Sequence, residues 1–188
     1  MGRYKHGKPN KEITLAEFQE ALDSNKFADP LIHRSYLAAL YWIGPRRTEP
    51  LNVVKEDIRE EESSLFIKMP AKKHGERGGE LELPLDWPGV QLIKERWLKV
   101  RAGRKLWPFE TSTAYRIVKR IWPDRTPHWL RWKTVTVMRR LRDQGKISTD
   151  DIKSWTGLKS DRSIERYGIK SQAGIHKVSQ VLNEQQTE

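Results

Sequence analysis

The chain is 188 residues long, enough for one domain with a core of its own, and it contains no cysteine, which removes disulfides and thiolate metal sites from consideration. Charged residues make up 32% and apolar residues 36%, and the formal net charge of +11 points to a polyanion as partner. No apolar run is long enough to cross a bilayer, and Met1–Lys11 is basic and polar with no secretory signal, so a cytoplasmic location and no membrane partner are expected.

In chain order, residues 1–11 read as a basic tail. Thr14-Leu-Ala-Glu17 is a capping box that opens a helix with Leu15, Phe18 and Leu22 as its stripe. Pro30 opens a second helix whose Leu31, Tyr36, Leu37, Leu40 and Tyr41 recur at helical spacing. Gly44-Pro45 ends it, and Pro45 biases Gly44 toward extended geometry. Arg46 therefore follows a rigid helix end. The run Glu56–Glu62 reads as an acidic patch that would repel a phosphate backbone.

Leu65–Met69 and Glu80–Pro84 read as strands, joined by a turn rich in Gly and cations that carries Lys72 and Lys73. Pro88 to Arg101 is expected to be a helix with Val90, Ile93, Trp97 and Leu98 inward, and Trp107-Pro-Phe a short connector. The next helix is Thr111–Trp122, with Tyr115, Val118 and Ile121 on its apolar face. Pro127 starts the helix of His128, which stops at Gly145, and Ser148 starts another that breaks at Gly157. Gly174–Leu182 is a last helical pattern whose narrow apolar stripe is expected either to fold back on its own core or to dock on a neighbouring protomer, and residues 183–188 are a polar tail. Trp97, Trp122 and Trp132 fall near apolar faces and are read as core. The fold class is α+β, mostly helical with a small antiparallel sheet.

The chemistry-bearing positions follow one another in a fixed order. They are Gly-Pro-Arg-Arg-Thr-Glu at 44–49, the lysine turn at 72–73, His-Trp-Leu-Arg at 128–131, Thr-Gly-Leu at 156–158, and Tyr167 nine residues after Leu158. Arginine keeps its charge at any relevant pH, and its planar fork matches two phosphate oxygens. An imidazole beside it can hydrogen-bond a phosphate oxygen or take a proton, and a phenol can attack phosphorus. Between Thr111 and Arg142 nine Lys or Arg residues face one acid, Asp124.

This set resembles the catalytic domain of the tyrosine recombinases, the lambda-type integrase family. The resemblance covers about Ile13 to Tyr167, and the catalytic unit is assigned to residues 12–182. It implies site-specific breakage and rejoining of double-stranded DNA through a 3′-phosphotyrosyl intermediate, with neither metal nor nucleotide cofactor. Under it, Tyr167 is the nucleophile, and Arg46, His128 and Arg131 stabilise the transition state. Glu49 holds Arg46, and Lys72 or Lys73, inseparable without strand register, protonates the leaving oxygen, with Lys72 preferred. Arg47, Lys73, Lys119, Arg120, Lys133 and Arg139 are read as further DNA contacts, and a homo-oligomer is expected on DNA.

Two features depart from the family pattern. Leu158 stands where a His or Trp is expected, and only about twelve residues precede the first helix, so the usual N-terminal clamp is expected to be missing. The alternative is therefore a catalytically impaired DNA-binding module on the same scaffold.

Overall fold

The computed structural model describes residues 12–70 and 80–165. Two short helices open it, α1 (Leu15–Asp23) and α2 (Pro30–Ile43). In α1 the Thr14 hydroxyl accepts from the Glu17 amide at 3.1 Å, while the Glu17 carboxylate accepts from the Thr14 amide at 2.8 Å. In α2 the Asp29 carboxylate caps the Ile32 amide at 3.2 Å, and Pro30 occupies the first turn, where its missing N–H costs nothing.

Helix α2 is buried nearly all round, from Ser35 to Tyr41 and again at Ile43. A helix apolar on every side must sit in the middle of its domain. It packs against α1 and, further along the chain, α3 (Val90–Lys99), α4 (Thr111–Ile121) and α5 (Pro127–Asp143). Its end departs from the expected extended geometry: Gly44 lies at φ 60, ψ 41, a left-handed cap whose amide donates to the Leu40 carbonyl at 3.1 Å. The left-handed stop outweighs the bias that Pro45 imposes, because glycine reaches that conformation without a steric cost. Crowding also demands glycine, since a Cβ there would stand 2.6 Å from the Thr134 Cβ.

The sheet has three antiparallel strands in the order β1 (Ile58–Glu61), β2 (Ser64–Lys68) and β3 (Glu80–Pro84). β3 alternates as its sequence suggests, with Leu81 and Leu83 buried and Glu80 and Glu82 exposed. β1 was hidden inside the acidic run. It pairs Ile58 with Ile67 and Glu60 with Leu65, and only Ile58 is buried, so the acids lie along a solvent edge. Two of them are paired: Lys94 meets Glu60 at 2.6 Å, and Arg59 meets Glu61 as well as Glu80 of β3 at 2.8 Å.

Three further expectations are corrected. Helix α3 begins at Val90 after a left-handed Gly89, not at Pro88. Leu98 is 59% exposed, because it falls ~100° round the helix from the Val90–Ile93–Trp97 stripe. Trp107 is no mere connector. It is fully buried, its indole N–H donates to the Ser35 hydroxyl at 3.0 Å, and its ring lies edge-on to Tyr36. Trp132 is buried, while Trp97 and Trp122 are half-buried against the same core.

After α5 come α6 (Thr149–Thr156) and a short α7 (Asp161–Glu165). Val135, Ile152, Leu158 and Ile164 form a second, smaller apolar cluster that joins them to α5. No helix among the described residues is long and apolar enough to cross a membrane.

Candidate phosphate-binding site

The site forms where the end of α2 meets the start of α5. Pro45, Arg46, Arg47, Tyr115, Thr126, Pro127 and His128 line an open depression of about 350 Å³. The Gly44 cap sends the chain out of the core, and Arg46 follows with a side chain 47% exposed. Glu49 is nearly buried and grips this turn twice. Its carboxylate accepts from the Arg46 amide at 2.7 Å and from the Arg46 guanidinium at 3.2 Å. Tyr36 secures the next residue by donating to the Arg47 carbonyl at 2.8 Å, and burial pushes that phenol's pKa up. The Arg46 side chain and the Arg47 backbone are thus held at the mouth by anchors inside the protein.

His128 is the second residue of α5, after Thr126 at the cap and Pro127 in the first turn, and it is exposed. It lines the depression together with Arg46 and Arg47 from the α2 end. The positive end of the α5 dipole adds to the attraction for an anion.

Arg131 stands elsewhere. It lies one turn past His128 but is only 1% exposed, and it is not among the residues lining the depression. One terminal nitrogen donates to the Gly44 carbonyl at 2.9 Å and the other to the Thr156 carbonyl at 3.0 Å. Those carbonyls sit at the C-terminal ends of α2 and α6, each followed or formed by a left-handed glycine, Gly44 or Gly157. A cation is favoured at both negative dipole ends. Arg131 therefore ties the ends of α2 and α6 together from inside the protein, next to the turn that carries Arg46.

Leu158 is buried in the second cluster. Its amide donates to the Thr156 hydroxyl at 3.3 Å, and its side chain faces apolar neighbours. Glu165, the last described residue of this segment, is tied to α5 by Arg139 at 2.5 Å and Arg142 at 2.8 Å. Tyr167, Lys72 and Lys73 lie outside the described residues.

The remaining cations expected to contact DNA divide. Arg47 is exposed at the mouth. The Lys119 ammonium donates to the Pro123 carbonyl at 2.6 Å, and Arg120 donates to the Lys26 carbonyl at 3.3 Å. Arg139 is spent on Glu165. Lys133 is turned inward, its ammonium 3.6 Å from the centre of the Tyr41 ring and 5.3 Å from that of Trp42. Burial lowers its pKa to about 8. Its ammonium thus rests on aromatic rings, at a position where a duplex contact was expected.

Tyr115 is a residue of the depression that its spacing does not announce. It is expected on the apolar face of α4, but the buried face is Ala114, Ile117 and Val118, and Tyr115 stands at the rim of the depression. The spacing does allow its exclusion from the core, since i, i+3 and i+4 from Ala114 make a complete stripe without it.

No protein-family model matches the chain, and no curated protein matches it by sequence. Solved structures match in fold. XerH site-specific recombinase, bound to its difH substrate in a pre-cleavage complex, superposes with a TM-score of 0.64 at 20% identity, covering 86% of this chain and 50% of that one. XerA recombinase gives 0.61 at 17% identity, covering 87% and 61%. A lambda integrase tetramer bound to a Holliday junction gives 0.57 at 14% identity, covering 89% and 51%. This chain therefore spans only about half to three fifths of the length of these neighbours. The likeness establishes the fold, the mostly helical architecture with a small antiparallel sheet of a tyrosine-recombinase catalytic domain.

Proposed function

We propose that this chain binds double-stranded DNA and breaks and rejoins it through a tyrosine, as a site-specific recombinase or integrase does. The single observation that supports this reading most is the depression that collects Arg46, Arg47 and His128 at the α2–α5 junction, in a fold shared with recombinases. A phosphodiester carries one negative charge, and a second develops as a fifth oxygen arrives, so preorganised cations lower the barrier.

In the proposed reaction the Tyr167 oxygen attacks phosphorus and a phosphotyrosyl bond forms while the bond to the 5′-oxygen breaks. His128 accepts the phenolic proton, directly or through water, and Lys72 or Lys73 delivers one to the leaving 5′-oxygen. Arg46 holds two phosphate oxygens, its own position fixed by Glu49. Arg131 contributes by bracing the backbone on which Arg46 stands. The strand's free energy stays in the phosphotyrosyl linkage, so rejoining needs neither nucleotide nor metal, and rejoining to a different 5′-hydroxyl gives recombination. Assembly on DNA as a homo-oligomer belongs to the same proposal.

A second reading has its own support. Leu158 is buried at the position where a phosphate-binding His or Trp is expected, and Arg131 is turned to the backbone. Both favour a DNA-binding scaffold with weakened chemistry.

Incubation with a nicked duplex pool of randomised sequence separates the two. A protein–DNA adduct that survives denaturation and disappears in Tyr167→Phe supports strand breakage. Binding without any adduct supports the scaffold alone, and the absence of binding contradicts both.

A further inference from the structure

A second basic basin lies away from the α2–α5 junction and shares no lining residue with it. Arg96, Lys99, Val100, Arg101, Gly103, Arg104, Lys105 and Pro108 surround an open depression of about 600 Å³ at the end of α3. Some of its cations are already engaged. The Arg96 Nε donates to the Leu106 carbonyl at 2.8 Å, Lys99 pairs with Glu95 at 2.6 Å, and Lys105 donates to the Asn52 side chain at 3.3 Å. Arg101 and Arg104 are exposed, and among the described residues neither guanidinium has a side-chain hydrogen-bond or ion-pair partner.

The backbone under these two arginines is pinned at several points. The Lys55 ammonium donates to the Val100 carbonyl, the Gly103 amide to the Glu56 carboxylate at 2.7 Å, and the Lys55 amide to the Arg104 carbonyl at 3.0 Å. Lys105 forms an antiparallel bridge with Val54. The Glu56 carboxylate is turned onto the Gly103 amide. The result is a rigid shelf that presents two unneutralised forks toward solvent, with entropy already lost on folding.

We propose that this basin is a second site for the phosphate backbone of duplex DNA, in which Arg101 and Arg104 each hold a phosphate. The proposal rests on the DNA-binding reading above. Guanidinium forks match phosphate oxygens in pairs. The apolar lining is confined to Val100, itself buried, and Pro108, so an acidic peptide would find little to anchor its side chains.

The test is the salt dependence of duplex binding by the full chain, read by fluorescence anisotropy on a random-sequence duplex. Each neutralised phosphate contributes a slope of about 0.9 in log K against log salt. Arg101→Gln/Arg104→Gln is expected to lower the slope by about two, with an unchanged melting temperature. Arg46→Gln is expected to lower it separately, and the effects to add. An unchanged slope in the double variant, with tight wild-type binding, overturns this inference and leaves the DNA-binding reading standing. Displacement of the duplex by polyglutamate from wild type but not from the double variant also overturns it, since the basin would then prefer carboxylates. Failure of the wild type to bind any duplex sinks both.

Discussion

The guanidinium of Arg131 donates to the carbonyl of Gly44 at 2.9 Å, which fixes the end of α2 two residues before Arg46. The same side chain reaches the Thr156 carbonyl at 3.0 Å, so one buried cation ties the two glycine-capped helix ends together. Placement of Arg46 at the depression thus depends on Arg131, which is not among the residues that line it.

Arg131→Lys should consequently act on folding before chemistry. A single ammonium on a flexible stem cannot span both carbonyls, and each buried carbonyl left unmet costs about 1–3 kcal/mol. The expected loss is about 2–4 kcal/mol, read as a lower urea midpoint in the absence of DNA. An unchanged midpoint would mean that Arg131 is not a brace.

Gly44→Ala tests the same corner from the backbone. A left-handed alanine costs about 1–2 kcal/mol, and its Cβ would meet the Thr134 Cβ at 2.6 Å. The expected loss exceeds about 2 kcal/mol, and duplex affinity should fall with it as Arg46 shifts. Gly103→Ala is the control: it carries the same positive φ, but nothing lies within 4 Å, so only the conformational cost should appear.

These corners mark how far the sequence could be read. The capping box at Thr14, the Pro30 start and the Gly44 stop follow from local rules, and each is present. Strand β1 was obscured because three consecutive acids, Glu60–Glu62, mask a segment stabilised by pairing with β2. Spacing put Arg131 one turn past His128, but not the return of α6 to its far side, a contact 25 residues along the chain. Lys133 shows the same limit, since only the assembled fold reveals Tyr41 and Trp42 beneath its ammonium.

Lys133 gives a pH signature. Its pKa is lowered to about 8 in the folded chain by burial, against roughly 10.4 when unfolded. Between those values the unfolded chain binds more protons, so this residue's contribution to stability grows as pH rises from 8 toward 10. Above about 10 the trend turns, because Tyr41 is held neutral with its pKa raised to about 12 while unfolded tyrosines ionise. Urea midpoints at pH 7, 8, 9 and 10 should rise for the wild type relative to Lys133→Met. Parallel curves would contradict the inward placement.

Glu49→Gln addresses positioning at the site. The amide can still accept from the Arg46 main chain but loses the ion pair to its guanidinium. Duplex affinity should change less than about threefold, while adduct formation slows about tenfold as the fork loses its fixed geometry. Equal losses in both would assign Glu49 to binding alone.

The most direct measurement is the identity of the tyrosine that carries DNA. Trapped adduct, digested with nuclease and protease and sequenced by mass spectrometry, should yield a phosphorylated Tyr167 peptide, with Tyr115 unmodified although it stands at the rim of the depression. A label on Tyr115, or an adduct that persists in Tyr167→Phe, would contradict the account.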